Sequence, residues 1–214
     1  MATGVKRRRY DASRRQQAAV ETRRRVLEAA RRRFLKQGYA ATSMQTISDD
    51  AGVALDTVYA SVGRKPELFR LLLETAISGT DDAVPSEERD YVRRIQAEPD
   101  AARKLDIYAR AIRDIAPRFA PLVEVAREAS AGHPDVGSVW RDLSRRRARR
   151  MRDLAGHLAD TGALRAGLSV DEAGDVLWSL NAPEFYRLLL VERGWSLDRF
   201  EHWLADAWKR LLLG

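Results

Sequence analysis

The sequence has no cysteine in its 214 residues, which excludes disulfides and thiolate chemistry and fits a reducing compartment. It has no apolar run of roughly eighteen residues, and no apolar segment follows its N-terminal arginines. The expectation is therefore a soluble cytoplasmic protein with no membrane span and no secretory leader. Histidine is scarce: His133, His157 and His202 are far apart, and no HExxH, GxSxG or phosphate-loop pattern occurs. No catalytic group, metal or cofactor is expected, and the chain is not read as an enzyme. No stretch of useful length alternates apolar and polar residues as a strand would, and no internal repeat is visible, so the expected fold is all-α.

What is present is charge, unevenly placed. Hydrophobic residues make up 45% of the chain, enough for a core, and charged residues 32%, which suits long solvent-facing helices. The length admits one or two domains. The formal net charge is +7. Residues 1–80 hold 16 Lys/Arg against 8 Asp/Glu, whereas residues 81–214 hold 22 against 23. The whole positive excess thus lies at the N-terminal end, which points to a polyanionic partner there. Three segments follow: a basic arm over residues 1–15, expected to be disordered alone; a domain over 16–80; and a body over 81–214. The acidic, Gly- and Pro-bearing stretch 79–88 separates the last two.

Residues 42–65 carry the most specific pattern. Met44, Ile47, Ala51, Val53 and Val58 are spaced so that two short helices crossing steeply would bury them together. Gly52 stands at the turn between them, where glycine reaches positive φ without steric cost. Two helices at a steep angle around a short glycine turn form a helix-turn-helix, whose second helix can enter a DNA major groove. Before it, residues 16–37 read as a helix with Val20, Leu27, Ala30 and Phe34 on one face, stopped by Gly38. Thr42 with Gln45 matches a capping box, with Ser43 as the competing cap. After it, Pro66 opens a helix over residues 65–78 that is apolar around much of its circumference and suits a connector between two bodies. Further helices are expected over residues 87–97, 100–115, 118–131, 134–161, 169–192 and 196–213.

The run from Gly38 to Leu68 resembles the DNA-binding domain of the tetracycline-repressor (TetR) family. It does so at Gly38, Tyr39, Thr42, Ser43, Ile47, Ala51, Gly52, Val53, Thr57, Val58, Tyr59, Lys65 and Leu68. The resemblance covers residues 16–78. Three positions depart from the family's pattern: Ala54 replaces a Ser/Thr helix cap, Ser48 a small apolar residue and Val62 a phenylalanine. The resemblance implies that Tyr59 and Lys65 contact phosphates. The chemistry agrees, since a phenol donates to a phosphate oxygen and an ammonium adds to a helix's positive end. The backbone N–H groups after Thr42 and Ser43, with those hydroxyls, offer another anion site. Ala54, Leu55, Asp56 and Thr57 form the tip that would face base edges, with Asp56 equally readable as a plain helix-start acid.

The resemblance further implies a homodimer on a palindromic double-stranded DNA operator. It also implies a dimer surface on the last two long helices and a small-molecule inducer pocket in the body. The final helix carries Phe200, Trp203, Leu204, Ala207, Trp208 and Leu211 as an apolar stripe wide enough for a four-helix bundle between subunits. Candidate pocket residues are Tyr108, Phe119, Trp140, Met151, Trp178 and Phe185, with Asn181 before the interruption at Pro183. Arg147 breaks a heptad-like apolar stripe: it either snorkels to solvent or faces inward toward an anionic partner. The other arginines of residues 145–152 read as a solvated, salt-bridged face. The resulting expectation is a ligand-responsive repressor, and the competing one a non-specific DNA-compacting protein that uses the basic arm.

Overall fold

The computed structural model describes residues 3–80 and 82–214, with side chains from Gln16 onward. Among the described residues there is no strand, only a single backbone bridge between Leu164 and Leu213, so the chain is all-α. Helix α1 spans Thr3–Ala41 with a break at Gly38 (φ 77°, ψ 174°), where the expected stop falls. Residues 1–15, expected as a disordered arm, lie outside those whose side chains are described. Val20, expected on the apolar face of α1, is instead half exposed. The buried face starts at Val26 and Leu27, and α2, α3, α4 and α6 pack on α1.

Helices α2 (Met44–Ala51) and α3 (Leu55–Val62) make the helix-turn-helix. Ser43, not Thr42, caps α2: its hydroxyl accepts from the Thr46 N–H at 3.0 Å. The Thr42 hydroxyl donates backward to the Gly38 carbonyl at 2.8 Å and is buried, closing the bend after α1. Gly52 adopts φ 63°, ψ 41°, and its left-handed conformation lets the chain leave α2 at a sharp angle. The Arg25 guanidinium of α1 donates to the carbonyls of Ala51 and Gly52, fixing that corner to the domain. Arg33 holds Asp50 through two bonds of 2.6 Å. The buried Ser48 hydroxyl donates to the Val53 carbonyl at 2.7 Å. What reads in sequence as a lost apolar contact is thus an internal brace across the turn.

Helix α4 (Lys65–Ser78) buries Leu68, Phe69, Leu72, Leu73 and Ala76, touching α1 and α3 on one side and α6 and α7 on the other. A 3-10 turn at Ser86–Glu88 leads into α5 (Asp90–Ala97). Next comes α6 (Ala101–Ala129), one continuous helix where two had been expected. Pro117 and Pro121 lie within it, each removing a hydrogen bond at a cost of about 3 kcal/mol. Yet sixteen of its 29 residues are buried, and α1, α4, α5, α7, α9 and α10 all pack on it. Burial of a large apolar side chain stabilises by about 1.5–3 kcal/mol, so packing outweighs the two interruptions. Lys104, buried in α6, donates to the Ile95 carbonyl at 2.6 Å, where the last turn of α5 has carbonyls to satisfy.

The body is completed by α7 (Pro134–Ala159), α8 (Val170–Leu180), α9 (Pro183–Tyr186) and α10 (Leu197–Leu212). The single helix expected over 169–192 is broken at Asn181–Ala182, because Pro183 cannot donate and biases Ala182 to extended backbone (φ −70°, ψ 139°). Beyond α9 the chain runs on as a π-helical segment, Arg187–Glu192. A capping box at the start of α8 is formed in both directions, the Ser169 N–H donating to the Glu172 carboxylate and the Glu172 N–H to the Ser169 hydroxyl.

Candidate DNA-reading head and ligand cavity

Helix α3 is held by its buried side, Val58 and Val62, against α1, α2 and α4. Its other side is open. Ala54, Asp56 and Thr57 are exposed at its N-terminal tip, and Tyr59 is 43% exposed one turn further on. Leu55 leans into the core, so three of the four expected base-facing residues stand clear of the protein. Ala54 makes no side-chain cap, and Asp56 supplies the acid in the first turn that favours this helix end. Thr42 turns its hydroxyl inward and cannot serve the anion site expected beside it. Ser43 is exposed, and the first N–H groups of α2 have no intrahelical partner, so that part of the site stands on Ser43 and the backbone.

Lys65, at the start of α4, sits at the seam between head and body. Its ammonium lies 4.2 Å from the centre of the Tyr39 ring, a cation–π geometry. Burial lowers its pKa from the ordinary lysine value, while the negative charge of Asp135 works the other way. Tyr39 is buried, and its hydroxyl reaches Asp135 at 3.4 Å, its ring meeting His133 edge-on at 5.1 Å. Burial, with Asp135 beside it, drives the Tyr39 phenol well above its usual pKa, so it stays neutral. His133 and Asp135 open α7, and neither was among the expected site residues. The Gly132-His133-Pro134 break signals a corner but does not say what it packs against.

The cavity lies between α4, α5, α6 and α7 and encloses about 630 Å³. That is within the range of roughly 300–1,000 Å³ typical of small-molecule sites. Of the expected lining residues, Tyr108, Phe119, Arg147, Met151 and Asn181 are brought together in its wall. Asn181 donates to the Tyr108 hydroxyl at 2.5 Å, and that hydroxyl contacts the Met151 sulfur at 3.2 Å. Burial pushes the Tyr108 phenol far above its ordinary pKa, opposed by the charges of Arg147 and Arg89. Arg147 faces inward, its Nη1 donating to the Asn181 carbonyl at 2.7 Å.

Trp140, Trp178 and Phe185 do not line the cavity. Trp178 backs the Arg147 guanidinium at 4.8 Å from its ring centre, and Phe185 packs on Trp203 at 5.6 Å. Trp140 is half-buried against the core. The helix periodicity gave these rings a buried side but could not say which buried side was hollow. Sequence reasoning also missed Tyr91 and Ile95 of α5, and it missed Glu74 and Ile77 of α4 because it sought the pocket in the body after residue 80.

Neighbouring arginines of α7 meet acids, as expected of a salt-bridged face. Arg146 bonds Glu74 at 3.0 Å and forms an ion pair with Asp142 at 3.2 Å, Arg150 approaches Glu87 at 4.0 Å, and Arg152 pairs with Asp171. Asp142 also accepts from Arg70 of α4 at 3.0 Å.

The stripe on α10 is mostly spent inside the chain. Phe200, Leu204 and Trp208 are closed off in the core, where α10 packs on α6, and Trp208 stacks on Tyr108 at 5.2 Å. These three cannot reach a second subunit. Trp203 and Ala207 are half-buried and Leu211 is exposed, and on the preceding segment Leu188 and Val191 are exposed as well.

Among the described residues no helix is long and apolar enough to cross a membrane, and no group of His, Asp or Glu could hold a metal ion. Residues 26–72 match the sequence model of the bacterial regulatory proteins of the tetR family. Among curated proteins, the chain is 39% identical over 75 residues to the HTH-type transcriptional regulator TtgR of Pseudomonas putida, 35% of this chain and 36% of that protein. The match therefore spans about a third of the relative's length. Among solved structures, NalD, the secondary repressor of the MexAB-OprM multidrug efflux pump in Pseudomonas aeruginosa, superposes with a TM-score of 0.71 at 20% identity. The superposition covers 91% of this chain and 98% of that one. A SmeT–triclosan complex superposes with a TM-score of 0.64 at 19% identity, over 90% and 92% of the two chains. These two similarities extend the common fold through the C-terminal body.

Proposed function

Since the chain belongs, through its DNA-binding domain, to the TetR family of bacterial regulatory proteins, we propose that it is a ligand-responsive transcriptional repressor. In this reading a small molecule in the cavity releases it from a palindromic operator. One observation carries the reading: α4 starts at the reading head with Lys65 and ends in the cavity wall with Glu74 and Ile77. Whatever fills the cavity presses on the helix that positions α3. A ligand acts only as far as it binds the two arrangements of that helix unequally. Two proteins of the same fold, an efflux-pump repressor and one solved with triclosan, support the same reading.

The protein would act in the cytoplasm as a homodimer, each copy reading one half-site, with half-sites about one helical turn apart or a near multiple. Trp203, Ala207 and Leu211, with Leu188 and Val191, are the apolar residues left for a second copy. Tyr59, Lys65, Ser43 and the α2 N-terminus would hold phosphates, and Ala54, Asp56 and Thr57 would face base edges.

Lys65→Ala is expected to weaken operator and non-operator DNA alike, by about tenfold, because a phosphate contact carries no sequence information. Fluorescence anisotropy across a salt series should also show the dependence on log salt falling by roughly one contact, about 0.9 in slope. An unchanged slope and affinity would remove Lys65 from the interface.

A further inference from the structure

The cavity is lined by two guanidinium groups that no carboxylate among the described residues bonds. Five arginines line it: Arg89, Arg146, Arg147, Arg150 and Arg152. Three of them meet carboxylates, as described above. Arg147 and Arg89 do not: among the described residues their bonds go to backbone carbonyls, Arg147 to Asn181 and Arg89 to Val84 at 3.2 Å. The Nε of Arg147 is buried with no hydrogen-bond partner. Both arginines line the cavity with Tyr108, and both guanidinium charges are felt at its phenol.

A structural role for Arg147 accounts for part of this. Its Nη1 satisfies a carbonyl at the C-terminal end of α8, where the helix dipole favours a cation. But guanidinium has five N–H donors, and one carbonyl and the face of Trp178 leave most of them unused in a place where burial disfavours the charge. Stabilising such a group fully takes an anion with two acceptor oxygens, the match that guanidinium makes best. The nearby acids do not supply it: Glu74 and Glu87 are engaged with Arg146 and Arg150, Asp153 and Asp160 are exposed at the rim, and Glu184, whose charge is felt at Arg147, is bonded to Arg127. Ile112, Ile115, Phe119, Leu143 and Met151 give the wall an apolar stretch, and Ser86, Gln96 and His157 are among its polar members.

We propose that the cavity takes an amphiphilic organic acid, an apolar body of fatty-acid or drug-like size carrying one carboxylate, which Arg147 reads with Arg89 beside it. The Asn181 amide and Tyr108 hydroxyl flank the carboxylate end, and the apolar wall sheathes the body. A cationic amphiphile of the same shape meets two unpaired guanidinium groups and is rejected. This specificity rests on the reading of the cavity as the inducer site, and it names the chemical class of that inducer.

The test is calorimetric titration of the full chain with two matched sets: decanoate, decylammonium and decanol; and 2-naphthoate with the corresponding naphthylmethyl amine and alcohol. At least one acid is expected to bind tenfold or more tightly than both its amine and its alcohol. In Arg147→Gln that preference should fall to within about threefold, and in Arg147→Lys part of it should return. Should Arg147→Gln lose its helical circular dichroism, Arg89→Gln is read in its place and should reduce the preference severalfold. The proposal is overturned if neither acid outbinds its matched amine in the wild-type chain, or if the preference survives in folded Arg147→Gln. Operator release followed in the same samples separates the two readings. An acid that binds without releasing DNA leaves the cavity chemistry standing and removes the repressor; release by decylammonium or decanol, with no preference for either acid, does the reverse.

Discussion

Replacing Phe69 by alanine is expected to destabilise the protein by about 3–5 kcal/mol, the usual cost of deleting a buried phenylalanine ring. Phe69 is fully buried on α4, its ring edge-on to Phe34 at 5.2 Å and to Tyr39 at 5.4 Å; those two rings are stacked at 5.5 Å. The trio joins α1, the bend after it and α4, so it fixes the connector to the reading head. Ring pairs add about 0.5–1.5 kcal/mol each beyond area burial, and the hole left by alanine faces side chains that cannot all collapse into it. Against a total stability of roughly 5–15 kcal/mol, this removes a large fraction of it and brings a protein at the lower end of that range close to unfolding, where DNA binding is lost with the fold. Urea denaturation followed by circular dichroism reads the loss. Phe69→Leu, which keeps most of the volume, should lose less than about 1.5 kcal/mol. Equal losses in the two variants would contradict this account, since they would mean that filling the volume without the ring recovers nothing.

The second large effect is on communication. Asp142→Asn is expected to leave ligand-free operator affinity within about threefold of the wild type while abolishing most ligand-driven release. Asp142 sits on α7 between Arg70 of α4 and Arg146, which itself bonds Glu74 of α4. Arg147, the next residue, faces the cavity from the same helix turn. A shift of α7 on ligand binding therefore reaches α4 through charged bonds, and the same helix presents Asp135 to Tyr39 and Lys65 at its other end. Allosteric coupling of this kind is worth about 5- to 150-fold in affinity as a rule, and the variant should bring that ratio close to one. The pH dependence follows from the same carboxylate. Burial opposes its charge, yet the Arg70 bond and the charges of Arg146, Arg70 and Arg145 hold its pKa below the ordinary value. A depressed carboxylate contributes above its unfolded pKa of about 3.9 and is lost as pH falls through the folded value. The coupling should thus be intact at pH 7 and decline only below about pH 4. Anisotropy titrations with and without ligand measure it; full release in Asp142→Asn would place the coupling elsewhere.

The reading head was nearly all legible in the sequence because its determinants are local. A glycine that must turn, a cap, a proline at a first turn and apolar residues at fixed spacing each act within a few positions. The errors there were of one atom's direction: Thr42 and Ser43 are both competent caps, and which hydroxyl turns inward depends on the bend at Gly38. The body was less legible because its determinants are not local. Pro117 reads as a helix end, and only the packing of six helices on α6 carries the helix through it. Phe200, Leu204 and Trp208 show an apolar stripe, but no periodicity tells whether α6 or a second subunit covers it. Arg147 interrupts such a stripe, and whether it turns out or in depended on Asn181 and Trp178, more than thirty residues away on a helix broken by Pro183.

The central claim is that α3 reads a specific DNA site. Its most direct test is the affinity of the purified chain for the palindrome nearest upstream of its own coding sequence, against a scrambled duplex of equal length at the same salt. The account predicts a preference of about a thousandfold or more. Equal affinity for the two duplexes, with both falling steeply as salt rises, would contradict it and leave a protein that grips DNA by charge alone.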